Sequence, residues 1–150
     1  MHIVFLFSDN FPGSSAYSNR IHSLAKGLIY YGNKVEVSVV YPGNWSNGNN
    51  IAGKKGKYEN VNFNYYCVSK FKPKNRIIQI IDGLWGIINF FFHWLFKFGH
   101  KKPNFIISCS SSLLHFLVLY ILGKLKGIKI LREYNEYPLY IQRNKNYFIK

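Results

Sequence analysis

Acidic residues are the scarcest chemistry in this chain: six Asp+Glu stand against 20 Lys+Arg, a formal charge of +14 over 150 residues. So few carboxylates leave little for a multi-carboxylate Ca²⁺ or Mg²⁺ site. Cysteine is nearly as scarce. Cys67 and Cys109 are too few for a disulfide scaffold or a zinc cluster. Arginine is sparse among the bases, and lysine is a point charge that does not read bases bidentately. No zinc-finger, helix-turn-helix or RNP-like pattern accompanies it, which leaves only a nonspecific footprint for nucleic acid. There is no GxGxxG for a dinucleotide and no GxxxxGK[ST] for a P-loop. The first apolar run, Ile3 to Phe7, is too short for a secretory segment and has no basic flank. The expected compartment is the cytoplasm, where the sequon Asn44-Trp45-Ser46 has no role. What is present is a core: 48% of the residues are hydrophobic, which excludes a disordered basic tail. The length suits a single domain, residues 1–150.

The patterning alternates strands and helices. His2 to Ser8 is almost continuously apolar, as in a strand buried on both faces. A turn cluster, Asp9 to Ser15, precedes Ile21, Leu24, Ala25 and Leu28 at helical spacing. Ser14 or Ser15 can cap that helix and Gly32 can end it. Lys34 to Tyr41 alternates as a second strand, which completes a βαβ opening. Residues 43–58 are rich in Gly, Asn and Lys and read as a long, disordered surface loop. Val61 to Cys67 predicts a strand, Asn104 to Ser110 another, Leu113 to Lys126 a helix ended by Gly127, and Ile128 to Tyr134 a last strand. The implied class is α/β: a Rossmann-like, doubly wound, mostly parallel sheet.

Residues 76–98 form a strongly apolar helix ended by Gly99. Its polar and small residues, Gln79, Asp82, Gly83, Gly86, Asn89, His93 and Lys97, share one arc. The run is long enough to span a bilayer, but an Asp near the centre costs about 3 kcal/mol there. Two placements compete with a span. One is an interfacial helix anchored by Trp85, Trp94 and flanking Lys. The other is a helix packed on the sheet with its polar stripe outward.

Ligands of such sheets bind beyond the carboxyl ends of the strands. Three loops should meet there: Asp9 to Ser15, Ser108 to Ser112, and Glu133 to Pro138. The first opens a helix, whose N–H groups and dipole favour a phosphate. Cys109 reads as a small buried hydrophobe, and a lone helical His22 reads more readily as structural than as functional.

Phe7-Ser-Asp-Asn-Phe-Pro-Gly-Ser-Ser15, then Ser18 to Leu28, then Gly32-Asn-Lys-Val-Glu-Val37, resembles the start of family 4-like glycosyltransferases. Arg132-Glu-Tyr-Asn-Glu-Tyr-Pro138 resembles the acidic, aromatic, Pro-ended segment of the same domain, while residues 43–103 carry little of the likeness. The resemblance implies the N-terminal, acceptor-side half of a GT-B fold. Such an enzyme moves a sugar with retention from a nucleotide-sugar donor to a cell-surface polysaccharide or a lipid-linked acceptor, with no cofactor or bound metal. It implies Gly13, Ser14 and Ser15 at the donor diphosphate, and Glu133, Asn135 and Glu136 as catalytic candidates. Asn10, Arg20, His22 and Ser110 are the acceptor-side candidates. Asn135 departs from the His or Asp common in relatives, and an amide cannot act as a base. Glu133 and Glu136 could instead pair with Arg132 or Arg143 at the surface.

The length holds one of the two domains that a GT-B enzyme needs. The expectation is therefore that the donor-binding domain is absent and that the piece alone is inactive or nearly so. The basic surface and the 76–98 helix would hold it at the inner face of an anionic membrane. The alternatives are a noncatalytic module that partners a separate donor domain, a basic nucleic-acid-associated domain, and a nucleotide-binding Rossmann domain of another class.

Overall fold

A computed structural model describes residues 1–41, 43, 53–69, 72–97, 102–110 and 112–133. In chain order its elements are β1 (His2–Phe7), α1 (Ala16–Tyr30), β2 (Lys34–Val39), β3 (Lys55–Tyr58) and β4 (Val61–Tyr65). Then come α2 (Arg76–Leu95), β5 (Phe105–Ser108), α3 (Leu113–Lys126) and β6 (Lys129–Arg132). The six strands form one sheet in the order β3-β4-β2-β1-β5-β6. Every pairing is parallel except β3 with β4. This is an α/β fold with helices on both faces, compatible with a Rossmann-like domain.

β1 lies at the centre because both of its faces are apolar. Ile3, Phe5 and Phe7 enter the core beneath α1, while Val4 and Leu6 enter the core beneath α2 and α3. Each such side chain, fully buried, contributes about 1.5–3 kcal/mol. α1 begins at Ser15, whose hydroxyl accepts from Ser18 N at 3.0 Å. Beyond its end, Gly32 sits at φ 76°, a left-handed conformation that glycine takes without strain.

The 43–58 stretch departs from expectation. Residues 55–58 are not loop but an edge strand, antiparallel to β4 with Lys55 opposite Asn64 and Tyr58 opposite Val61. Glu59 and Asn60, at φ 41° and 73°, turn the hairpin in two residues. Lys-Gly-Lys-Tyr has little apolar alternation of its own, and its pairing with β4 is what makes it a strand. Residues 44–52 and Gly99 lie outside the described residues.

α2 overturns one of the placements left open by the sequence, the packed helix with its polar stripe outward, because that stripe faces inward and not the solvent. Asp82 is buried, and its carboxylate accepts from Val68 N at 2.6 Å and from Ser69 N at 3.1 Å. Asn89 Nδ2 donates to Tyr66 O at 3.2 Å. Gln79 donates to Pro73 O at 2.6 Å and accepts from the Tyr41 hydroxyl at 3.3 Å. The sheet explains the orientation. β2 and β4 alternate, so with Val35, Val37, Val61 and Phe63 beneath α1, the opposite face receives Glu36, Ser38, Asn62 and Asn64. The α2 stripe spends its hydrogen bonds at the end of this face, on Tyr41 and on the backbone of Tyr66, Val68, Ser69 and Pro73, and its apolar arc is left outside. Ile77, Ile81, Leu84, Trp85, Ile88 and Phe92 are exposed. Trp94 is fully buried between the helix and β1, so it cannot serve as the interfacial anchor its sequence position suggested.

α3 packs beside α2 on the same face. It buries His115, Leu119 and Leu122 and also exposes apolar side chains, among them Leu113, Phe116, Leu117 and Leu125. Gly127, at φ 64°, ends it.

Burial at this interlayer sets a pH response. His2 and His93 pack against Trp94, with ring centroids 5.6 and 5.1 Å away. Burial, reinforced by nearby lysines, holds both imidazoles down to about 4 from the usual 6.5. The folded chain then binds fewer protons than the unfolded chain between pH 6.5 and 4. Stability from these groups is fully present above 6.5 and is lost as pH falls through that window. Urea midpoints measured across the range should decline on acidification, and the decline should be shallower in His93→Gln.

Candidate functional site

β1 lies between β2 and β5, and the chain winds outward from it in opposite directions. The carboxyl ends of β1 and β5 therefore flank the crevice where such sheets bind ligands. Two hydrogen bonds set the crevice floor: Cys109 N donates to Leu6 O at 2.9 Å and Glu133 N to Ser108 O at 3.0 Å. The first turn of α1 reaches across it. The Tyr17 hydroxyl donates to Cys109 O, and Arg20 Nη2 lies 2.9 Å from Glu133 Oε1. Arg20, Ser110 and Glu133 thus come together at one end of the sheet, with the Gly13–Ser15 loop leading into α1.

The β1–α1 loop is held from within. Asp9 accepts from Asn10 N at 2.8 Å and from Ser15 Oγ at 2.8 Å. The Ser15 hydroxyl is thus fully used, capping α1 and binding Asp9. Asp9 also places a carboxylate at the helix start, so a phosphate there would rely on backbone N–H groups and meet this charge. Asn10 is buried and spends its amide on Gly43, donating to its carbonyl and accepting from its N–H, each at 3.2 Å. Its place is that of a brace between the ends of β1 and β2. Gly13 is required by the loop itself, since a Cβ there would stand 2.6 Å from Asn10 O.

Glu133 is the acid with the most constrained setting. Its side chain is 12% exposed against 54% for Arg20. The contact is close enough for an ion pair, and the Cys109 thiol lies beside the same carboxylate. Among the described residues its ion-pair partner is Arg20 on α1, while Arg143 lies outside them. Burial, then the Glu133 carboxylate, pushes the Cys109 thiol far above its ordinary value, and burial pushes Cys67 up to about 12. Both cysteines are therefore protonated, and neither is a nucleophile.

Sequence reasoning passed over His115. Its Nδ1 lies 2.7 Å from Ser110 Oγ, and that oxygen also accepts from Ser112 N at 3.2 Å. Burial holds the imidazole below its ordinary value, so it is neutral at pH 7. The neutral ring and the Ser110 hydroxyl share one proton-bearing contact, with Ser112 N as a further donor to Oγ. The signal was the short spacing Ser110-Ser111-Ser112-Leu113-Leu114-His115, which folds the first turn of α3 back over the end of β5.

His22 stands apart from this cluster. Its ring packs on Tyr58 at 5.0 Å and edge-on to Phe11 at 6.0 Å, with Nε2 3.7 Å from Glu59 Oε2. It braces α1 against the β3–β4 hairpin. Asn135 and Glu136 lie outside the described residues. Among the described residues no three His, Cys, Asp or Glu side chains gather as a metal-ligand set.

Neither a protein-family model nor a curated protein matches this chain.

Proposed function

We propose that this chain is the acceptor-side Rossmann-like domain of a retaining GT-B glycosyltransferase, working with a donor-binding domain that supplies a nucleotide sugar. Its acceptor would be a cell-surface polysaccharide or a glycolipid. One observation carries the reading beyond the resemblance. Glu133, a nearly buried carboxylate paired with Arg20 of α1, follows β6 and stands beside the carboxyl end of β5. In this reading Glu133 orients or polarises an acceptor hydroxyl, and Arg20 keeps its charge in place. Ser110, oriented by neutral His115, contributes a hydroxyl to the same crevice. Gly13 and the backbone of the first loop approach the donor diphosphate from the other side.

Chemical-shift mapping with a uridine diphosphate sugar and with a soluble glycosyl diphosphate tests it. Perturbed amides should cluster at residues 9–20, 108–115 and 133, and Glu133→Gln should weaken acceptor binding without changing the spectrum elsewhere. Absence of binding by both ligands, or perturbations centred outside the crevice, would sink the assignment.

A further inference from the structure

The outer face of α2 and α3 is the least expected surface of the molecule. A soluble domain rarely exposes a contiguous apolar patch beyond a few hundred Å². Here two neighbouring helices turn eight and seven large apolar side chains outward. The polar residues of α2 are spent on the sheet, so this face is not a helix awaiting rotation. Asp82 and Asn89 fix it by hydrogen bonds to the backbone of residues 66–69.

We infer that this face seats the chain on an anionic lipid bilayer, with α2 and α3 lying in the plane of the interface. Charge selects that occupant. Asp82 is the single acid in either helix, and it is turned inward. Cations stand at the helix ends: Lys72, Lys74 and Arg76 before and at the start of α2, Lys97 just past its end, Lys124 and Lys126 in the last turn of α3. An apolar field with a basic rim is what a headgroup layer over acyl chains complements. A second copy would bring the same basic rims together, each on a chain of charge +14. A cleft of about 620 Å³ opens beside α2, where Lys54, Lys55 and Lys97 stand with Trp85 and Phe92. It offers headgroup phosphates a cationic recess at the edge of the apolar field. α2 has the 20 residues of a membrane span, about 30 Å. Its hydrogen bonds to the sheet keep it lying along the surface, not crossing it.

The inference does not depend on the sugar chemistry, and its test does not involve sugars. The full chain is mixed with phosphatidylglycerol–phosphatidylcholine vesicles, or with phosphatidylcholine alone, and sedimented at low and high salt. Binding should require the anionic lipid and weaken with salt. Lys74→Glu with Lys124→Glu should reduce it roughly tenfold or more. Leu84→Ser with Ile88→Ser and Leu117→Ser should do the same, with far-UV circular dichroism unchanged because these side chains are outside the core. Lipids brominated on the acyl chains should quench fluorescence from exposed Trp85, and Trp85→Phe should remove most of that quenching while binding persists. No binding to anionic vesicles, quenching indifferent to Trp85→Phe, or a solution dimer or acidic-protein complex that covers Trp85 in place of lipid would each overturn the assignment.

Discussion

Gly86→Ala should destabilise the fold by about 1–3 kcal/mol, although alanine is the better helix former. The reason is a close approach of two backbones. A Cβ at Gly86 would stand 2.0 Å from Val40 O and 2.9 Å from its carbonyl carbon. Neither atom is the end of a flexible side chain that can swing aside. α2 would have to lift from the sheet, loosening Ile87, Phe90 and Trp94. Gly27→Ala on α1 is the matched control. Nothing lies within 4 Å of the added Cβ, so that variant should gain about 0.5–1 kcal/mol. Urea unfolding of the two proteins, followed by circular dichroism, should move their midpoints in opposite directions. Equal midpoints would mean that α2 does not sit this close.

Asp82→Ala should cost about 2–3 kcal/mol, and Asp82→Asn less. The carboxylate receives the N–H groups of Val68 and Ser69, where the chain leaves β4. Alanine removes a charged acceptor from both donors at once, and charge-assisted hydrogen bonds are the strong ones. An asparagine oxygen still accepts, without the charge. Amide hydrogen exchange gives a local check: Val68 and Ser69 should lose protection in Asp82→Ala before residues of β1 do. Uniform loss across the sheet would show the effect to be global and not local to this joint.

The two sites also show where sequence patterning is informative and where it fails. β1, α1, β2, β4, β5 and α3 each carry their own period, and each was legible within a residue or two. β3 was not, because Lys-Gly-Lys-Tyr becomes a strand only through the edge of β4. The direction of α2 was missed for a different reason. A helical stripe says which residues share a face, but it does not say what that face meets. The deciding groups lie on other elements: the backbone of Tyr66, Val68 and Ser69 takes the stripe, beside the face of β2 and β4 that carries Glu36, Ser38 and Asn64. Burial of one of them has a consequence. Desolvation raises the Glu36 carboxyl above its ordinary value, so its charge at neutral pH works against folding there.

The candidate site was partly legible as well. A strand followed by Glu133 placed that acid at the carboxyl edge from patterning alone. Its partner, Arg20, is 113 positions away in sequence, and the pairing depends on the phase at which α1 crosses the edge. His115 escaped because it stands on α3, five positions beyond Ser110, and only the turn into that helix brings its ring back to the hydroxyl. His22 and Asn10 have the right address in sequence, yet their side chains are spent on Tyr58, Phe11 and Gly43.

The lie of α2 along the sheet fixes which edge of the sheet each of its ends meets. Asp82 sits by the carboxyl end of β4, and Trp94 by the start of β1, so the helix runs the length of the strands. The carboxyl edge, with Glu133 and Ser110, therefore forms one border of the plane that α2 and α3 present. Under the inference drawn above, a bilayer against that plane would end at the edge where Ser110 stands.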